Sequence, residues 1–220
     1  MLTTQPMSHQ RIVAGVDVGG SRKGFHAVTL REGEYLDHYE ATEAAKIADW
    51  CRKQGAVLIG VDAPCRWSRT GRARECERQL MEEEIWCFST PTRAAAERHP
   101  TGNFDWMLNG EALFRALQKT HTLFDGRLEP ANRSLCFETF PHAVTWALAG
   151  KPVLAKNKRT KRPELLRQAG VATENLKGID RIDAALCALT AHYLALGAIE
   201  TYGDESEGLI VVPDKPLARK

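Results

Sequence analysis

Apolar residues come in short bursts along this chain, and their period changes from one region to the next. The run Ile12-Val13-Ala14-Gly15-Val16 is continuously apolar and reads as a buried strand over 12–18. Over 24–30, Phe25, Ala27 and Thr29 alternate with His26, Val28 and Leu30, which predicts a second strand. Glu32-Gly33 supplies a turn, and 34–39 predicts a third strand, so the start of the chain reads as a β-meander. The period then lengthens. Ala45, Ile47, Ala48 and Cys51 form one face of a helix over 42–54, with Thr42 as its N-cap and Gly55 beyond its end. A short apolar strand over 57–61 follows and stops at Asp62-Ala63-Pro64.

Residues 66–133 are rich in Arg and Glu, with helical periodicity over 72–86 and 104–124, and read as a mostly helical insertion. A strand resumes at 135–137 and ends in Glu138. Helices are predicted at 142–149 and 163–169, a longer one at 179–199, and a last short strand at 209–212. Strands joined by hairpins pair antiparallel, whereas strand–helix–strand crossovers pair parallel. The order therefore predicts an α/β fold: a mixed sheet, a three-strand antiparallel meander plus parallel strands, flanked by helices. One domain over 11–213 is expected, with polar tails at 1–10 and 214–220.

Composition narrows this picture only a little. With 220 residues and 43% hydrophobic content a sizeable core is available, and a net charge of +2 makes any case for an anionic partner a local one. No apolar run is long enough to span a membrane. The first ten residues lack the pattern of a signal peptide, and Met7 could be an alternative start. The six cysteines include no Cys-x-x-Cys pair, which argues against zinc and against a disulfide framework. They fit reduced thiols, and a cytoplasmic location is expected.

Candidate chemistry lies at the strand ends. Asp17, Asp62 and Glu138 each close a predicted strand, and equivalent ends of parallel strands line one crevice. Asp180 and Asp183, three apart at the start of the long helix, share one helical face. Acids that converge must raise their pKa values or take up a divalent cation, and oxygen-only ligation suits Mg²⁺ or Mn²⁺. Two such ions would support in-line attack of water on a phosphodiester. Gly19, Gly20 and Gly24 would give clearance for the phosphate. Each acid also has a plainer explanation: Asp17 and Asp62 as turn formers, Glu138 in an ion pair with an Arg, Asp180 as an N-cap and, less readily because it looks inward-facing, Asp183 as an acid favoured by the helix dipole.

The order of elements and acids resembles the ribonuclease H-like fold, and within it the junction resolvases. More closely, the chain resembles the family of unknown function numbered 429, described as predicted nucleases of that fold. Gly15-Val-Asp-Val-Gly-Gly, Ile59-Gly-Val-Asp-Ala-Pro, Arg74-Glu-Cys-Glu-Arg-Gln-Leu, Phe137-Glu-Thr-Phe-Pro and Asp180-Arg-Ile-Asp-Ala-Ala carry the likeness. It departs from the family's pattern at Phe25, where a Trp is common, and at Glu75 or Glu77, where an Asp is usual. The resemblance implies a metal-dependent nuclease with Asp17, Asp62, Glu138 and Asp183 as catalytic groups. The metal ligands would come from the same four and Asp180.

Basic residues supply the other half of a nucleic-acid site. Lys151, Lys156, Lys158, Arg159, Lys161, Arg162 and Arg167 precede the long helix, and Lys161 and Arg162 are the expected phosphate contacts. Arg66, Arg69, Arg72, Arg74 and Arg78 form a second set beside Trp67, and Arg74 is a further substrate-binding candidate. Thr90-Pro91-Thr92-Arg93 reads as a helix start that could hold an anion, and His142 could shuttle a proton. The expected partner is a nucleic acid or another phosphodiester, and the apolar long helix could support a homodimer. Two rival functions stand beside this one: an actin-like phosphotransferase, whose phosphate loop also reads Gly-x-Asp-x-Gly-Gly but which needs two such domains and a second loop, and a non-catalytic ribonuclease H-like binding module, which loss of a carboxylate would have favoured.

Overall fold

The structure, a computed structural model, describes residues 11–127 and 133–214. The tails expected at 1–10 and 214–220, Asp214 apart, lie outside the described residues, as does the stretch 128–132 of the insertion. Strands β1 (Ile12–Val18), β2 (Phe25–Arg31) and β3 (Glu34–Ala41) form the predicted meander, and helix α1 (Ala44–Gln54) leads into β4 (Ala56–Asp62). The cap of α1 is Glu43 rather than Thr42, and Gly55 ends it in the left-handed conformation at φ 75°.

The insertion holds α2 (Glu75–Glu82), α3 (Arg93–Glu97), α4 (Asp105–Leu117) and the two-residue strand β5 (Thr122–Leu123). Strand β6 (Leu135–Glu138) follows, then α5 (Pro141–Ala149), α6 (Lys158–Gln168), α7 (Ile179–Ala195), β7 (Ile199–Asp204) and β8 (Gly208–Pro213). Helix α7 stops short of the predicted 199. Residue 199 opens β7, which pairs antiparallel with β8 and was not foreseen. Helix α6 begins five residues before Pro163, which sits inside it.

The sheet runs β3-β2-β1-β4-β6-β8-β7, with β5 beside the start of β6. Pairing is antiparallel in β1–β2, β2–β3 and β7–β8, and parallel in β1–β4, β4–β6, β5–β6 and β6–β8. This is the mixed α/β sheet expected from sequence, and it is compatible with a ribonuclease H-like arrangement. Side chains alternate between faces of a sheet, so each strand feeds two cores. On one face α7, α5 and α6 cover Val13, Val28, Leu58 and Phe137; on the other, α1 and α4 cover Ala14, Val16, Ile59 and Val61.

Helix α7 is buried on nearly every side, from Ile182 to Leu194. It lies so close to β1 and β4 that a methyl group at Gly15 would overlap the backbone of Ala184 and Ala188, and one at Gly60 would meet the carbonyl oxygen of Cys187. Glycine at 15 and 60 is thus a packing requirement. Gly15→Ala should cost ~3 kcal/mol or more, read as a lower midpoint in chemical denaturation with an unchanged slope. Gly55→Ala, where a methyl meets nothing within 4 Å, should cost only about 1 kcal/mol through its left-handed backbone. Equal losses would contradict this account of α7.

Candidate functional site

Asp17 and Asp62 are register partners on parallel β1 and β4. Paired positions share a face, and the glycines two residues before each lie under α7. Both carboxylates therefore emerge from neighbouring strand ends on the α7 side. Asp180 and Asp183 stand in the first turns of α7, whose N-cap is Gly178 at φ 88°. The charges of Asp183 and Asp180 act on Asp17, and those of Asp17 and Asp183 act on Asp62. Four of the five predicted acids are brought to one place.

Their burial is electrostatically costly. Asp17 is only 6% exposed. Burial first and Asp183 second push its carboxyl up to about 7. Burial, then Asp17 and Asp183, raises half-buried Asp62 well above the carboxylate range. Two cations offset part of the cost. Lys23 Nζ donates to Asp180 Oδ1 at 2.5 Å and stands 3.9 Å from Asp17 Oδ2. Arg162 Nη1 donates to Asp183 Oδ1 at 2.5 Å. Although burial opposes its charged form, the hydrogen bond to Asp180 and the charge of Asp17 hold the Lys23 amine above its usual value. Three buried side-chain atoms have no hydrogen-bond partner among the described residues: Asp17 Oδ2, Arg162 Nε and His26 Nδ1, and the last stands 3.1 Å from Glu40 Oε1.

An all-oxygen site with an unpartnered, buried carboxylate oxygen fits a hard divalent cation. The arrangement is nevertheless smaller than the sequence suggests. Among the described residues, no three His, Cys, Asp or Glu side chains are grouped to hold one metal ion. Asp180 and Asp183 face Lys23 and Arg162 instead, so the five-ligand cluster is not assembled. The pair Asp17 and Asp62 remains, and Mg²⁺ is commonly held by one or two carboxylates with waters filling the rest of its shell.

The charge of Glu138 reaches Asp62, but its side chain does not share the α7 face. Its register partner is Val61, one residue before Asp62, which turns its side chain to the opposite face of the sheet. There Arg74 grips it with both arms: Nη2 donates to Oε1 at 2.6 Å and Nη1 to Oε2 at 2.9 Å. The backbone amide of Cys65 donates to Oε2 as well. Arg74 Nε also donates to Glu77 Oε1, which accepts from the Thr90 hydroxyl. The expectation that Glu138 binds metal gives way to the ion-pair alternative. Arg74, 1% exposed, is a strut inside the protein rather than a contact for substrate.

Of the other basic candidates, Lys161 pairs with Glu164 at 2.8 Å on α6. Arg162 is buried in the acid group itself. Thr92 caps the short α3 through the amide of Ala95, and Arg93 pairs with Glu111 and Glu97. Burial, then the charges of Arg162 and Lys158, push the His142 imidazole below its ordinary value. Sequence reasoning missed Lys23. A Cβ at Gly19 would meet the stem of Lys23. The signal was present, since a lysine at the tip of a glycine-rich turn after Asp17 has few directions in which to lie.

Residues 15–208 match the model of the family described as "Protein of unknown function (DUF429)". No curated protein matches the chain. No helix among the described residues is long and apolar enough to cross a membrane.

The raised carboxyl of Asp17 gives the fold a pH dependence of definite sign. Between about pH 4 and 7 the folded chain keeps a proton that the unfolded chain has released, so stability falls as pH rises through that window. In cation-free buffer Asp17→Asn should be more stable than wild type at pH 8, by roughly 2 kcal/mol or more, and equal to it at pH 4. Coincident pH profiles in denaturant titrations would sink this assignment. For Glu138→Gln the expected cost is about 3 kcal/mol, from an Arg74 left under-compensated. Mn²⁺ affinity measured by calorimetry should stay within about twofold, since a ligand's loss costs tenfold or more.

Proposed function

We propose that this chain, which belongs to the DUF429 family, is a divalent-cation-dependent phosphodiesterase acting on a nucleic acid or another phosphodiester. The observation that carries this reading is the unpartnered, buried Oδ2 of Asp17 beside its register partner Asp62. The positive charges that act on the buried Asp17 carboxylate, Lys23 at 3.9 Å and Arg162, leave its carboxyl raised, and a hard cation meets that demand. Mg²⁺ or Mn²⁺, when bound, would polarise a phosphoryl oxygen as a Lewis acid.

The chain's own residues have separate tasks. Asp17 and Asp62 hold the cation. Arg162 keeps one arm on Asp183 and offers its unpartnered Nε–H to a phosphate oxygen, a planar fork suited to that partner. Asp183 orients Arg162, while Lys23 and Asp180 close the opposite side. His142, whose imidazole is pushed below its ordinary value by burial and by the charges of Arg162 and Lys158, would serve as a proton acceptor.

A second reading has its own support. Asp180 and Asp183 are already neutralised by Lys23 and Arg162, as in a scaffold that binds an anionic partner without cutting it. Mn²⁺ titration followed by a panel of labelled nucleic acids separates the two. Wild type should bind Mn²⁺, and Asp17→Asn should bind at least tenfold more weakly. At least one substrate should be cut, with Asp17→Asn slower by about 100-fold or more. Arg162→Lys should raise KM more than it lowers kcat. Unchanged Mn²⁺ affinity in Asp17→Asn would remove the catalytic reading and leave the scaffold.

A further inference from the structure

A cavity of about 50 Å³ opens beside Asp62, between the ends of β4 and β6 and the insertion. Its walls are Phe88, Trp106, Met107 and Phe140, and its floor is the buried Arg74–Glu77–Glu138 network. Phe88 lies in the irregular stretch between α2 and α3 and is 70% exposed, a large apolar side chain left at the mouth of a pocket. The Phe88 and Trp106 rings are 6.3 Å apart and tilted by 59°. Two faces that sandwich a flat ring stand about 7 Å apart, twice a carbon–carbon contact distance. To face each other across a base the rings must also lose their 59° tilt, a reorientation that falls to Phe88 as an exposed ring on irregular chain.

We infer that this cavity is the subsite for the planar heterocyclic base of a phosphoester, stacked between Phe88 and Trp106. The inference rests on the phosphodiesterase reading, because Asp62 belongs both to the cavity wall and to the acid group. A phosphoester drawn to a cation held by Asp17 and Asp62 would present its next group here. In its present shape the cavity takes one or two waters or the edge of a ring, so the base enters as Phe88 turns outward.

The polar groups lining the cavity make recognition sequence-tolerant. The Thr90 hydroxyl is spent on Glu77, and the Thr139 hydroxyl donates to the carbonyl oxygen of Val211. Both oxygens of Glu138 are engaged by Arg74. Stacking, which every base can provide, is what the aromatic walls offer.

The test measures ring binding without metal, so that it stands apart from catalysis. Etheno-adenosine 5′-monophosphate is titrated by fluorescence anisotropy, in the presence of a chelator, with wild type and Phe88→Ala. Phe88→Ala should bind at least fivefold more weakly than wild type. Unlabelled ribose 5-phosphate should compete at least tenfold less well than adenosine 5′-monophosphate. Phe88 is exposed, so its alanine variant keeps the fold, which circular dichroism checks. A single-stranded etheno-adenine oligonucleotide that binds more tightly than the mononucleotide makes a strand the source of the base. Equal affinities make it a free nucleotide, and either outcome supports the subsite. Equal binding by Phe88→Ala, ribose 5-phosphate competing as well as the nucleotide, or no binding to wild type overturns it. If Mn²⁺ binding and cleavage fail while Phe88-dependent ring binding persists, the catalytic reading falls and the subsite stands.

Discussion

The closeness of α7 to β1 and β4 is the constraint on which the rest of the molecule depends. Glycine at 15 and 60 lets helix backbone rest directly on strand backbone, with Ala184, Cys187 and Ala188 as the contact surface. That contact closes the core on one face of the sheet. It also fixes where the first turns of α7 sit, and so brings Asp183 and Asp180 within electrostatic reach of Asp17. A larger residue at either glycine would lift the helix, opening the core and separating the acids together. Stability and site therefore share one set of contacts.

Two charged centres follow from this arrangement, one on each face of the sheet near the same edge. The Arg74–Glu77–Glu138 network is closed: each carboxylate oxygen has a donor, and the guanidinium spans both acids. Its role is to hold the insertion against the end of β6, and a satisfied buried network of this kind makes the local structure rigid. The acid group on the α7 face is open. Asp17 Oδ2 and Arg162 Nε are buried without partners, one an acceptor and the other a donor, which is the complement of a cation and a phosphate. Unmet hydrogen-bonding capacity in low dielectric is costly, and a ligand that carries both charges would relieve both atoms. The aromatic cavity lies between the two centres, with Asp62 on its wall and Arg74 in its floor.

Much of this was legible in the chain itself. The change of hydrophobic period located β1, β2, β3, β4, α1, α5 and α7, because a side chain's face in a strand or helix follows from spacing alone. The glycine-flanked Asp17 and the inward position of Asp183 could be read for the same reason. Strand β7 was hidden, since Ile199 continues the apolar pattern of the helix before it, and Gly197, at φ 70°, makes the break. The two-residue β5 carries too few positions to show a period.

Which acids would meet was not legible, because strand register and long-range ion pairing are invisible to local pattern. Asp17, Asp62 and Glu138 look alike as strand-ending acids, yet a one-residue offset sends Glu138 to the other face, where Arg74 holds it. Arg162 and Lys23 look like surface charges, yet tertiary packing folds both into the acid group. The sequence by itself determined the elements, the mixed sheet and the acids at the strand ends, since those rest on side-chain period and turn chemistry within a few residues. Only the tertiary structure decided that two of those acids share a site with α7 while the third is locked in a strut. Facing and pairing depend on how distant strands align, and no stretch of chain carries that information alone.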